Sequence, residues 1–182
     1  SDFRHGIFNK TTIPLLVSSI PNKTFKVADS QVATRWGNIT DFLEFDLLTP
    51  NEREVRFSLA DQDSSISNLT RELQYKAKFK NLILKLGERG VVSVDGVNTK
   101  ASAFSIPSFV KKVVDTTGTG DALLSYATLS MIATKSLVIS SILGSIAAAC
   151  ACENDGNIAV TLDQVNKKIN SIQNLSSYKI SN

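Results

Sequence analysis

The sequence is short of several things, and each shortage removes a class of protein. Among 182 residues there are two cysteines, Cys150 and Cys152, set two apart in an apolar run. They exclude a disulfide scaffold, and with a single histidine, His5, they leave no Cys/His set for a zinc site. Lys and Arg number 20 against 17 Asp and Glu, with no dense basic run. Nothing therefore points to a nucleic-acid groove or a polybasic membrane surface. No Gly-Lys dipeptide occurs, which excludes a P-loop of the G-x-x-x-x-G-K type. Residues 1–20 lack a charged stretch followed by an unbroken apolar one, so no secretory leader is expected there. The longest apolar tract, Ser136 to Cys152, carries serines and a glycine and is short for a membrane span. Asn-x-Ser/Thr tripeptides, such as those at Asn22, Asn38, Asn68 and Asn174, read as chance in an Asn- and Ser-rich chain. The expected compartment is the reducing cytoplasm. No internal repeat or low-complexity linker is present.

What remains is 42% hydrophobic and 20% charged, the balance of a folded globular chain with enough length for a core. Apolar spacing predicts a short helix over Thr11–Ile20, with Thr11 or Thr12 as its cap. A strand over Thr24–Ala28, a helix over Asn38–Phe45 and a buried strand over Phe45–Leu48 follow, the last stopped by Thr49-Pro50. Helices are expected over Asn51–Leu59 and Ser67–Phe79. The run Asn81–Leu86 reads as a strand buried on both faces. Val91–Val94 and Val97–Ala103 read as a hairpin about Asp95-Gly96. A helix from Gly118 to about Ile132, an apolar helix over Lys135–Cys152 and an amphipathic helix capped by Thr161 complete the chain. Strands alternating with helices indicate an α/β protein with a largely parallel sheet, whose ligands bind beyond the carboxyl ends of the strands.

The sharpest local feature is Asp115-Thr116-Thr117-Gly118-Thr119-Gly120-Asp121 at the start of a helix. Glycines and small hydroxylated residues let the backbone curl with its N–H groups exposed. The first helical turn adds unpaired donors and a partial positive charge, which together can cradle a phosphate. A carboxylate at Asp121 could accept a proton from a hydroxyl brought beside that phosphate, the requirement of phosphoryl transfer to an alcohol. A glycine-rich turn with Asp121 stabilising the helix start fits the same spacing. Leu123 stands where a dinucleotide fingerprint needs glycine, so that motif is excluded.

Asp115–Asp121 resembles the D-T-T-G-A-G-D signature of the ribokinase-like, PfkB-type carbohydrate kinases. Thr49-Pro50-Asn51-Glu52-Arg53-Glu54 is similar to that family's T-P-N-E-x-E segment, and Leu84–Val91 to its T-L-G-x-x-G nucleotide segment. Asp2-Phe3-Arg4-His5-Gly6, with Ala28–Gln31, resembles the heptose-phosphate kinase branch. The resemblance covers nearly the whole chain. It implies a three-layer α/β/α sandwich with a mostly parallel sheet, of which residues 1–182 would be the C-terminal nucleotide-binding and catalytic part, without the N-terminal sugar-binding and lid part.

The resemblance also implies roles. Asp121 is similar to the catalytic base, and the N–H groups of Gly118, Thr119 and Gly120 to the anion hole. Asn51 and Glu54 match the element that organises magnesium and phosphate, through waters. Gly87 and Gly90 match the nucleotide loop, with Lys85 in place of its threonine and Cys150 as a wall of the adenine pocket. Asp115 and Thr117 match positions that bind a monovalent cation in some members. ATP and magnesium are the implied cofactors and a sugar or sugar phosphate the implied partner; a homodimer stays open. Thr119 replaces an alanine and Arg4 a glycine of the family pattern.

Blander readings stand beside these. Asn51 and Glu54 are spaced as a helix capping box. His5 reads as a solvated loop residue, Trp36 as packing, Lys167-Lys168 as a solvated face. Two functional classes follow: an ATP-dependent sugar kinase, or a non-catalytic nucleotide-binding or interaction module.

Overall fold

The computed structural model describes residues 1–3, 5–30, 38–97, 103–156 and 158–176. It divides at Pro107 into two units, residues 1–107 and 108–182. Arg4, Gln31, Trp36 and most of the expected strand 97–103 lie outside the described residues.

The first unit is built on a five-stranded sheet in chain order: β1 (Val27–Ala28), β2 (Leu47–Leu48), β3 (Asn81–Lys85), β4 (Val91–Asp95) and β5 (Ala103–Ile106). β1, β2 and β3 are parallel; β4 and β5 turn back antiparallel, with Leu82 opposite Val94 and Val91 opposite Ile106. The central strands have no solvated face. Leu47, Leu48, Leu82, Ile83 and Leu84 are fully buried, which is why NLILKL reads as a continuous apolar run. Three helices belong to this unit: α1 (Thr12–Ser19), α2 (Glu52–Leu59) and α3 (Ile66–Ala77). Val55 of α2 and Leu69, Leu73 and Ala77 of α3 join the sheet in one core with Phe42, Phe45 and Phe79.

Several local expectations are corrected. The expected helix over Asn38–Phe45 is a single 3-10 turn, Ile39–Asp41. Glu44 then takes a left-handed backbone, and the chain turns so that Phe42 meets Phe45 edge-on at 5.4 Å between centroids. Burial of these rings overrides the helical spacing. The strand expected over Thr24–Ala28 is confined to Val27–Ala28, because the Lys26 N–H donates to the Asp46 carboxylate instead. The described part of the second hairpin strand, Ala103–Ile106, takes a register that buries Ile106. Thr11 holds the N-cap position of α1, as expected, but its side chain makes no capping bond; instead Asn9 Oδ1 accepts from the N–H groups of Thr11 and Thr12.

The second unit holds three helices: α4 (Thr119–Thr134), α5 (Leu137–Cys152) and α6 (Leu162–Ser176). Gly144 sets how closely α4 and α5 approach. A Cβ there would lie 3.0 Å from the Ala127 Cβ and 3.1 Å from the Leu123 carbonyl oxygen. Small residues along α5 serve the same closeness, and the hydroxyls of Ser140 and Ser141 return to carbonyls four residues back, so their burial leaves them paired. Ile146, Ala147 and Cys150 of α5 pack on Val165 of α6. Among the described residues no helix is long and apolar enough to cross a membrane.

Candidate active site

The carboxyl ends of β1, β2 and β3 point the same way, and each delivers a polar residue. Asp29 follows β1 directly, Asn51 follows β2 after Thr49-Pro50, and Lys85 is the last residue of β3. An isolated parallel bridge ties Asn51 to Lys85, with the Lys85 N–H donating to the Pro50 carbonyl at 2.9 Å. This is where a parallel sheet places its ligand site.

Asn51 is the N-cap of α2, with an extended backbone. Its side-chain oxygen accepts from the Glu54 N–H at 2.9 Å. In return the Glu54 carboxylate accepts from the Asn51 N–H at 2.7 Å and from its side-chain amide at 2.6 Å. The capping box is therefore complete, and it draws the carboxylate inward until Glu54 is only 3% exposed. Burial raises its pKa to about 7; Lys85 and the Asn51 N–H pull the other way, and Asp29 adds to the rise.

Lys85 reaches both oxygens of Asp29, at 3.0 and 3.1 Å. Burial pushes the Asp29 carboxyl up and the Lys85 ammonium holds it down, with burial the stronger. The departure from threonine at position 85 is thus matched by a buried acid. Asp29 lies in the Ala28–Gln31 segment of the family resemblance, but motif reading gave it no role; its place directly after a strand was the signal that could have supplied one. Beyond Lys85 the chain turns through Gly87 and Gly90, both at positive φ (63° and 85°), where a side chain would be strained. A cleft of about 460 Å³ opens beside this loop, walled by Asn51, Arg53, Phe57, Lys85 and Gly87.

The second unit carries the other group of residues. One Asp115 carboxylate oxygen accepts from the Thr117 N–H at 2.8 Å, the other from the Gly156 N–H at 3.3 Å. These bonds hold its carboxyl below the usual range. Gly118 sits at φ 75° as the N-cap of α4, with no side chain to cap the helix. The Thr119 N–H donates to the Thr116 carbonyl at 3.3 Å, so of the three expected anion-hole donors it is partly spent. The N–H groups of Gly118 and Gly120 take no partner among the described residues, nor does that of Asp121. Asp121 lies in the first turn of α4, half-buried, with no hydrogen bond to its carboxylate among the described residues. Cys150 is buried against α6, and burial raises its thiol pKa; the cleft it borders is lined mainly by lysine and amide side chains. His5 is exposed, as its loop setting predicts.

Asn51, Glu54, Lys85, Gly87 and Gly90 thus gather in the first unit, and Asp115, Thr117, Gly118, Thr119, Gly120, Asp121 and Cys150 belong to the second. Among the described residues no three His, Cys, Asp or Glu side chains form a metal cluster.

Known proteins resemble this chain in sequence and in fold. Bifunctional protein HldE of Nitrobacter winogradskyi is 30% identical over 126 residues, covering 68% of this chain and 25% of that protein. HldE of Helicobacter acinonychis is 25% identical over 185 residues, covering 96% of this chain and 38% of its own. Phosphofructokinase-2 from Escherichia coli, crystallised with potassium, superposes with a TM-score of 0.75 at 19% identity, over 91% of this chain and 53% of that one. Ribokinase from Thermotoga maritima does so with a TM-score of 0.67 at 24% identity, over 81% and 50%. The chain spans a quarter to two-fifths of these curated relatives and about half of each solved neighbour. Residues 15–164 match the profile of the pfkB family carbohydrate kinases, and the chain belongs to that family.

Proposed function

We propose that these residues form the nucleotide-binding, base-carrying part of a sugar kinase, which transfers the γ-phosphoryl group of ATP to a hydroxyl of a sugar or sugar phosphate. The observation that carries the reading is the start of α4, where N–H donors and the Asp121 carboxylate face out unengaged from one helical turn. Asp121 takes the proton of the acceptor hydroxyl. The Gly118 and Gly120 N–H groups meet the charge on the transferring phosphoryl oxygens, the form of stabilisation that contributes most to such reactions. The loop Gly87–Gly90, with Lys85 at its edge, receives the nucleotide.

Magnesium fits the donor set of Asn51 and Glu54 only through waters, since both Glu54 oxygens already accept from Asn51. When bound it supplies charge neutralisation at the phosphates. Asp115 and Thr117 would hold a monovalent cation. The HldE relatives favour a heptose phosphate as acceptor.

The test is Asp121→Asn in the chain that carries the whole kinase fold. Turnover should be abolished while ATP binding, followed by calorimetry, stays near that of the parent. Normal turnover in the variant would remove Asp121 from the base role. A non-catalytic nucleotide-binding module is the second reading. Its support is the closed state of the Asn51–Glu54 and Asp29–Lys85 pairs, and it predicts binding without turnover in both proteins.

A further inference from the structure

The second unit has a cleft of about 380 Å³ that the kinase reading touches only through Cys150. One wall is a single face of α6, where Gln164, Lys167, Lys168 and Ser171 recur at helical spacing. The other wall is the end of α5 with Lys111 from the preceding segment. The pair Lys167-Lys168 is not a uniformly solvated face as its sequence suggests. Lys168 is buried at 7% exposure and its ammonium is bound to the Glu153 carboxylate, whereas Lys167 is exposed.

Glu153 is the fulcrum of the site. Burial works to raise its pKa, but the Lys111 N–H and the Lys168 ammonium, both donating to Oε1, hold it below the usual range. Glu153 is therefore ionised and occupied at neutral pH, and it satisfies Lys168. Lys111 keeps its ammonium on the Ser171 hydroxyl at 2.7 Å, a neutral partner, within the weaker field of Glu153. Lys167 forms no ion pair among the described residues. Gln164 uses its amide oxygen on the Thr161 N–H, so its NH₂ group is left to face a ligand. Three lysines against one carboxylate leave a surplus of two positive charges in a concave, donor-rich site.

We propose that this cleft binds a small anion of two or more negative charges, held by Lys111 and Lys167 with Gln164, over the fixed Glu153–Lys168 pair. Phosphate esters and polycarboxylates share that chemistry. The site stands on groups of the second unit other than Asp121 and the Gly118–Gly120 turn, and its fate is independent of the kinase reading.

The test uses the whole chain, labelled with nitrogen-15 and free of magnesium, titrated separately with inorganic pyrophosphate and with citrate. Saturating amide shifts are expected at Lys111, Asn154 and Gln164, for pyrophosphate if phosphate esters are the natural class and for citrate if polycarboxylates are. Lys111→Met with Lys167→Met should weaken binding about tenfold, the loss of two partly exposed charge contacts. Both lysines are exposed, so the double variant should melt as the parent does. Asp121→Asn should bind unchanged. The proposal is overturned if neither anion saturates by about 10 mM, if the shifts are confined to Gly118–Gly120, or if the double variant binds as tightly as the parent.

Discussion

The two units treat their polar groups in opposite ways. In the first, each chemically active side chain is already held: Glu54 by Asn51, Lys85 by Asp29, Glu52 by Arg56 and Arg89. In the second, the Gly118 and Gly120 N–H groups and the Asp121 carboxylate at the start of α4 have no partner among the described residues. The difference follows from burial. Groups at the carboxyl ends of β1–β3 sit against a core in which an unpaired charge would be costly, so they pair. The first turn of α4 is partly exposed, and its donors can wait for a ligand at little cost. One unit therefore combines stability with ligand binding, and the other keeps a few groups free for chemistry.

Substitutions should separate the two behaviours. The largest effect belongs to Asp121→Asn, which should cut turnover of the whole kinase by about a thousandfold, as loss of a general base does, and leave the melting temperature within error. A large drop in melting temperature would place Asp121 among the structural groups of the first kind. Lys85→Met should do the reverse, lowering stability in urea titration by about 3 kcal/mol because it strands the buried Asp29. Adding Asp29→Asn should restore much of that loss, and failure to do so would show that the pair is not what Lys85 contributes.

Glu54 sharpens the comparison through pH. Its pKa is about 7 in the folded chain against the ordinary 4.5, so between those values the folded state binds the extra proton. Stability from this group is full below pH 4.5 and lost as pH rises to about 7, a fall of about 3 kcal/mol. Asp29, also raised, works in the same direction. Glu54→Gln, which keeps the capping geometry, should flatten the parent's decline over that window. An unchanged profile would deny Glu54 its raised pKa. Smallest is Gly144→Ala. The added Cβ would press on Ala127 at 3.0 Å, and the melting temperature should fall by the equivalent of about 2 kcal/mol. A neutral result would mean that α4 and α5 can separate freely.

Much of this was legible in the residues. NLILKL declared a doubly buried strand, and α2, α3, α5 and α6 lie within a few residues of their expected bounds. Asn51 and Glu54 could be read as a capping box from spacing alone, because both partners lie within one helical turn. Less legible were the short strands β1 and β2 and the turn at Ile39–Asp41. Their form is set by aromatic burial and by bonds to Asp46, which reach Lys26 and Asn81 across 20 and 35 residues.

The order of elements, the glycine-rich start of α4 and the family of the chain were determined by the sequence itself, since each depends on residues close together along it. The pairing of Lys85 with Asp29, 56 residues away, the raised pKa of Glu54 and the fate of Lys168 were decided only by the tertiary structure. A charge finds its partner and loses its water only when distant segments close around it, and no local pattern encodes that distance.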